Sequence, residues 1–498
     1  MTSVSLRDVL RAEPQTAGDV LICGLSSDSA WLAPGWAFAA CRGERRHGLA
    51  FIDEALRCSP AVILWEPAPD LDPAPALRGC ANAGVPALEV PGLRRRLGEL
   101  AARVWGEPSA RGLCVHGVTG TDGKTSVSQF LAQALDHGGG CGVIGTLGHG
   151  RSGRCQPLGH TTPDAPRLQA LLAGFRDQGL RHASMEVSSH ALDQGRVDSI
   201  VFHTAILTNL GHDHLDYHGS QAAYAAAKRR LFMMPGLGLA VLNRESPFSQ
   251  AVREVLAASV RVVDYGWQAP LDAAGSVWCE DYQADQHGFD VALSTPVGRV
   301  SLRLPLLGRF NVDNVMAVAA VLVGLGWPAT GIADALRGLQ PIPGRMEPFR
   351  SPGQPLVVVD YAHTPGALEA ALDSLRPHVG GRVYCVFGCG GERDRGKRPL
   401  MGAVAARCAD QVIVTDDNPR TEQPQRIIDE ILAGLNGAAA RVIRDRRAAI
   451  AEAIAEAGPD DAILVAGKGH EDYRIDADGR TPYSDRHTVA HLLGCERA

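Results

Sequence analysis

Three polar stretches of this chain have the residue types and spacing for nucleotide chemistry. The first, "GVTGTDGKTS", spans Gly117–Ser126 and lies between an apolar run and a helix-forming one. Glycines let backbone N–H groups approach a polyphosphate, and the start of the following helix favours negative charge. Lys124 can reach the outer phosphates, and Thr125 can ligate Mg²⁺. The pattern is a variant phosphate loop. The usual GxxxxGK[ST] would put its first glycine at Val118, whereas Gly117 is one position early and Gly120 lies inside. The second stretch, "SMEVSSHALDQGRV", sets Glu186 at the end of an apolar run. The third, "LTNLGHDHLDYHG", sets Asp213, His214 and Asp216 just beyond the next one, and "YAAAKRRLF" then presents Lys228 on a helical pattern. A carboxylate and an imidazole at neighbouring strand ends can hold Mg²⁺ beside a nucleotide. A GTPase, a kinase and a ligase could each use such a set, so the reaction stays open.

These residues need a scaffold that brings strand ends together, and the pattern supplies an α/β one. Three segments are expected. Residues 1–108 mix short strands and helices, and "GEPSARG" is the linker that follows. Residues 109–343 alternate apolar runs with helical patterns, predicting a mainly parallel sheet covered on both faces. Residues 344–498 repeat strand-then-helix and predict a second, doubly wound sheet. Ligands bind outside the carboxyl ends of such strands, and "YAHTP", "GCGGERDRGKR", "DNPRTE" and "GKGHE" all fall there.

Bulk properties narrow the class. A formal net charge of -6 argues against bulk electrostatic binding of nucleic acid. The twelve cysteines include no CxxC and mostly sit in apolar runs, as expected of a reduced, cytoplasmic protein. No stretch reaches ~18 consecutive apolar residues, so no membrane insertion is expected. "MTSVSLRDVLRAEP" lacks the apolar core of a secretory signal.

Taken in order, "GVTGTDGKTS", "EVSSHAL", "TNLGHDHLDYHG", "AAKRRLF", "LLGRFNVDN", "PGRME", "DYAHTP", "GCGGERDRGKRPLMG", "DNPRTE" and "GKGHE" resemble the Mur ligases, in the branch that adds diaminopimelate. The resemblance covers nearly the whole chain and is strongest from about 112 to 490. It implies three domains: a small UDP-binding α/β domain, a central phosphate-loop ATPase-like domain and a C-terminal Rossmann-like domain. It also implies an ADP-forming amide ligase of peptidoglycan synthesis, acting as a monomer. ATP phosphorylates the D-glutamyl carboxylate of UDP-N-acetylmuramoyl-L-alanyl-D-glutamate, and meso-diaminopimelate then attacks the acyl phosphate. A lysine-adding family member and an inactive nucleotide-binding homologue are the alternatives.

Residue by residue, the resemblance implies an ATP site of Gly117, Thr119, Gly120, Thr121, Asp122, Gly123, Lys124, Thr125 and Ser126, with Asn311, Asn314, Arg345, Asp360 and His363. Two Mg²⁺ ions are implied at Thr125, Glu186, His214 and Lys228, the lysine carrying a carbamate. Ser29, His47, Thr161, Thr162, Ser188, Gln194 and Arg196 match the UDP-muramoyl-dipeptide pocket. Arg393, Asp417, Asn418, Arg420, Gly467 and Glu471 match the diaminopimelate pocket. Two departures stand out. Asp122 replaces the Asn of the usual TNGKT loop, and Ala30 replaces the Arg of the usual DSR.

Overall fold

A computed structural model of the protein describes residues 3–11, 20–43, 46–136, 138–271 and 274–495. They form two compact units, Met1–Val262 and Val263–Ala498.

Besides a two-stranded pairing of Val4–Ser5 with Leu21–Ile22, the first unit contains two sheets. Leu25–Ser26, Ala37–Ala40, Val62–Trp65 and Ala87–Glu89 form a four-stranded parallel sheet. Helices Ala74–Asn82 and Leu93–Val104 accompany it, and Leu93, Leu97 and Leu100 recur at helical spacing in its core. The second sheet places Cys114–Thr119 at its centre. His182–Glu186 and then Cys141–Gly145 run parallel on one side, Phe202–Leu207 and Leu239–Asn243 on the other. The chain goes first to one side of the central strand and later to the other. Its carboxyl end is therefore a topological switch point, where a crevice opens. These strands are nearly continuous apolar runs because helices cover both faces.

The amino ends of the same strands carry a buried histidine cluster. His116 is fully buried, with Nδ1 3.1 Å from Thr204 Oγ1 and Nε2 3.1 Å from His182 Nδ1. His203 Nδ1 meets the same threonine hydroxyl. Burial and the neighbouring imidazoles push the His116 pKa well below 6.5, and burial pushes His182 to about 4.

In the second unit, Ser276–Asp285, Gly288–Thr295 and Gly298–Leu304 form antiparallel hairpins, an addition to the expected parallel pattern. Helix Arg309–Gly324 follows them. A six-stranded sheet then runs in the order Glu347–Phe349, Leu356–Asp360, Ala462–Ala466, Val383–Phe387, Gln411–Val414 and Arg441–Val442, parallel except for the first edge strand. It is doubly wound. Val358, Cys385, Phe387 and Leu464 pack on one face with helices Pro365–Leu375, Lys397–Cys408 and Pro424–Leu432. Val357, Val359, Tyr384 and Ile463 pack on the other with Arg446–Glu456 and Asp485–Leu493. Among the described residues no helix is long and apolar enough to cross a membrane, and the twelve cysteines are free thiols.

Candidate functional site

In the first unit the loop after Cys114–Thr119 turns directly into helix Lys124–Asp136. Gly120 (φ +150°) and Gly123 (φ +81°) adopt backbone conformations that side chains disfavour. A Cβ on Gly120 would also lie 1.8 Å from Thr208 Oγ1. The end of the neighbouring strand clamps the loop. Asp122 N–H donates to Asn209 Oδ1 (2.9 Å), Thr208 Oγ1 donates to the Asp122 carbonyl (2.6 Å), and Thr121 N–H donates to the Asn209 carbonyl (3.1 Å). The Asp122 side chain itself is exposed.

Cations converge on this loop. Lys124 Nζ donates to the carbonyls of Gly120 (2.9 Å) and Thr121 (2.7 Å). Lys228, on helix Gln221–Arg229, is 1% exposed and donates to the same Gly120 carbonyl at 2.6 Å. It also lies 4.4 Å from the centre of the Tyr224 ring, whose hydroxyl meets Thr121 Oγ1 at 3.1 Å. Burial, then the charge of Lys124, push the Lys228 pKa well below 10.5, outweighing Asp213 and Asp122.

Beside the loop, oxygen groups cluster on Glu186. Thr125 Oγ1 donates to Oε2 (3.0 Å), as does Thr146 Oγ1 (3.1 Å), and Thr146 N–H donates to Oε1 (2.7 Å). Thr161 Oγ1 lies 3.1 Å from Thr146 Oγ1. A threonine hydroxyl and a carboxylate at a phosphate loop are the hard oxygen donors Mg²⁺ takes when phosphates supply the rest, so these residues fit the ion. His214 is exposed, with φ +52° and Nε2 3.3 Å from Asp213 Oδ2. Its pKa is lowered by burial first; Asp213 opposes this, while Lys124 and Lys228 add to it.

The muramoyl-dipeptide set continues from the same strand. Thr162 Oγ1 donates to the Glu186 carbonyl (2.8 Å) and accepts from Ser188 N–H (3.2 Å). Arg196 donates to the Thr162 carbonyl (2.7 Å) and to Gln194 Oε1 (2.9 Å from Nε). Ser29 and His47 sit apart, after the first two strands of the four-stranded sheet, Ser29 opening the 3-10 turn Ser29–Trp31 and His47 preceding the 3-10 turn Gly48–Phe51. Ser29 Oγ donates to Glu54, and His47 accepts from Leu49 N–H through Nδ1 while donating from Nε2 to the Glu66 carbonyl.

The second unit gathers its candidates at the carboxyl ends of its parallel strands. Asp360 accepts from Met346 N–H (2.7 Å) and Ala362 N–H (2.8 Å). Burial raises its pKa, against the pull of Arg345. The Arg345 guanidinium lies 4.6 Å from the centre of the Tyr361 ring, and the His363 ring lies 4.7 Å from it. Asn311 and Asn314 are buried on helix Arg309–Gly324, where Asn314 Nδ2 donates to Asn311 Oδ1 (2.9 Å).

The amino-acid set is linked more tightly. Arg420 has φ +55°, and its Nη1 donates to the carbonyls of Gly391 (2.7 Å) and Asn418 (3.4 Å). A Cβ on Gly390 would lie 3.0 Å from that Nη1 and 3.7 Å from Arg393 Cγ, so both arginines flank this glycine. Asn418 Nδ2 donates to Glu471 Oε2 (2.9 Å). Gly467 (φ +117°) passes so near Asp417 that a Cβ would lie 2.7 Å from Oδ2. Fully buried Arg398 donates to Glu422 Oε2 (3.0 Å), Glu430 Oε2 (2.7 Å) and the Gly390 carbonyl (3.1 Å). Glu422 also accepts from Glu392 N–H at 2.7 Å.

Sequence reasoning missed Thr146, the Thr208–Asn209 clamp, Tyr224, Arg398 and Lys468. Arg398, Lys468, the clamp and Tyr224, which opens "YAAAKRRLF", lie inside stretches already singled out. Nothing in the local sequence marks Thr146.

Residues 118–322 match the Mur ligase middle domain, and residues 344–469 match the "Mur ligase, glutamate ligase domain". The chain is 52% identical over 482 residues to the UDP-N-acetylmuramoyl-L-alanyl-D-glutamate–2,6-diaminopimelate ligase of Alkalilimnicola ehrlichii, covering 96% of each. It is 48% identical over 478 residues to the ligase of that name from Pseudomonas aeruginosa, covering 95% of each. A solved structure bearing the same enzyme name superposes with a TM-score of 0.71 at 33% identity, over 99% of both chains.

Proposed function

The chain belongs to the Mur ligase family, and we propose that it is the ADP-forming ligase that joins meso-2,6-diaminopimelate to UDP-N-acetylmuramoyl-L-alanyl-D-glutamate, in the cytoplasm and as a monomer. The observation that carries the chemistry is the convergence of Lys124 and buried Lys228 on the Gly120 carbonyl, beside the bond from Thr125 to Glu186. Amide synthesis from a carboxylate needs its oxygen made into a leaving group, and two anions must meet for that to happen. Cations held in a water-poor crevice lower this barrier.

In this reading the loop's backbone and Lys124 bind the ATP phosphates. Thr125 and Glu186 would hold one Mg²⁺, and His214 and Lys228 would contribute to the second. When bound, the ions neutralise the phosphoryl oxygens as charge builds on them. Lys228 suits carbamylation because burial lowers its pKa and so favours the neutral amine, the form that adds to CO₂ with loss of a proton. The carbamate turns a cation that would repel Mg²⁺ into an oxygen donor. Thr161, Thr162, Ser188, Gln194 and Arg196 orient the dipeptide carboxylate. We assign Ser29 and His47 to the uridine diphosphate, and Asn311, Asn314, Arg345, Asp360 and His363 to the nucleotide. Arg393, Asp417, Asn418, Arg420, Gly467 and Glu471 take the incoming amino acid. We assign these roles to residues 1–108, 109–343 and 344–498 as the UDP-substrate, ATP and amino-acid domains.

The test is ADP release measured against a panel of amino acids, with and without the UDP-linked dipeptide. Release that needs both the dipeptide and meso-diaminopimelate is expected. No release with any amine would overturn the reading, and equal use of L-lysine would overturn its substrate choice.

A further inference from the structure

One buried ammonium has no part in the roles above. Lys468 follows strand Ala462–Ala466 and is 1% exposed. Its Nζ donates to Asn418 Oδ1 (3.0 Å) and Glu471 Oε2 (3.1 Å), and lies 4.0 Å from Asp417 Oδ1. We infer that Lys468 is a positioning residue for the amino-acid substrate, fixing how Asn418, Glu471 and Asp417 are presented to it. This rests on the proposal that those three residues bind diaminopimelate.

Two features support the inference. The first is the orientation of the Asn418 amide. Its Oδ1 accepts both Lys468 Nζ and Ile475 N–H (3.0 Å), so its nitrogen must point the other way, where it donates to Glu471 Oε2. An amide nitrogen carries two hydrogens. One is spent on Glu471, and the second is held ready for an acceptor such as a substrate carboxylate. The second feature is charge. Asp417 and Glu471 are two carboxylates that share the buried ammonium of Lys468. It draws Glu471 Oε2 and Asn418 Oδ1 onto one point and offsets the repulsion between the two carboxylates. Lys468 therefore holds an acceptor in place and a donor aimed without needing to touch the ligand.

The experiment compares Lys468→Met, which removes charge and donors, with Lys468→Gln, which keeps a donor alone. Thermal unfolding confirms folding, and the glutamine variant carries the comparison if the methionine variant does not fold. Lys468→Met should raise the KM for meso-diaminopimelate at least ~30-fold, the scale of a lost charged hydrogen bond. The KM values for ATP and the UDP-dipeptide should stay unchanged. Lys468→Gln should fall between wild type and Lys468→Met. The double variant with Asn418→Ala should be no worse than the poorer single variant by more than ~3-fold, since the two residues act as one unit. An unchanged diaminopimelate KM, a parallel rise in all three KM values, or multiplied effects in the double variant would each overturn the positioning role. An inactive wild type would instead overturn the assigned activity, and with it the substrate of this cluster.

Discussion

Replacing Arg420 with alanine should cost diaminopimelate binding and little else. Nη1 of this guanidinium is spent on the Gly391 and Asn418 carbonyls, and the backbone N–H is held by the Ile475 carbonyl at 3.1 Å. That anchoring leaves the Nε–Nη2 edge for a carboxylate, which a planar guanidinium grips bidentately. Lysine lacks the second carboxylate that diaminopimelate carries at its far end, so under the proposed assignment this grip would also select between them. A charged hydrogen bond contributes up to about 3 kcal/mol, and 1.4 kcal/mol is tenfold, so the KM should rise roughly 100-fold or more. Alanine bears the same left-handed backbone cost as arginine at φ +55°, so the turn survives. Loss of the bond to Gly391 should lower stability by about 1 kcal/mol, too little to unfold the domain at 25 °C. The assay is ADP release with varied meso-diaminopimelate at saturating ATP and UDP-dipeptide, with the KM of each co-substrate as the control. A wild-type diaminopimelate KM in Arg420→Ala would refute the reasoning. So would a wild-type enzyme that used L-lysine equally well.

Three other outcomes follow from the geometry. Lys228→Ala should abolish turnover, with partial recovery on adding small carboxylates; full activity in the variant would remove Lys228 from the chemistry. Asp122→Asn keeps the backbone bonds to Asn209 and Thr208 and removes an exposed charge beside the phosphates. Its ATP KM should fall about twofold to fivefold, the scale of an exposed charge pair, and a raised KM would give Asp122 a productive role. His116 and His182 have folded pKa values below 6.5, so below that pH the unfolded chain binds more protons than the folded one. Stability should hold above about pH 6.5 and drop as pH falls from there to pH 5. His116→Asn should flatten that dependence in urea unfolding at the two pH values, and an unaltered slope would clear the histidine of the effect.

Much of this arrangement could be read from the chain because apolar runs ended at chemically distinctive residues. Glu186 closes a strand, Lys124 opens a helix and Lys228 lies on one, each as its local pattern predicts. The loop's departure from GxxxxGK[ST] did not hide it, since the neighbouring strand and helix defined the context. The antiparallel hairpins went unread although "GFDVALST" and "GRVSLRL" alternate with period two and meet at a Gly turn. The roles of Thr146 and Tyr224 were illegible for a different reason. They come from pairing across the sheet and from helix packing, which no local window of sequence contains. Lys468 sat in a quoted motif, but its burial is a tertiary property.

Arg398 has a consequence for attempts to redesign the enzyme. Its guanidinium joins the Gly390 carbonyl of one loop to Glu422 of the next, and Glu422 in turn receives Glu392 N–H. The two loops that carry Arg393 and Arg420 are therefore a single inheritable part. Grafting a "DNPRTE" segment that lacks the Glu422 carboxylate would leave this buried cation with Glu430 alone unless the "GCGGERDRGKR" segment came with it. Losing one charged hydrogen-bond partner costs about 1.5–3 kcal/mol, a large fraction of a domain's total stability. Substrate preference in this domain should move between chains as a pair of loops or not at all.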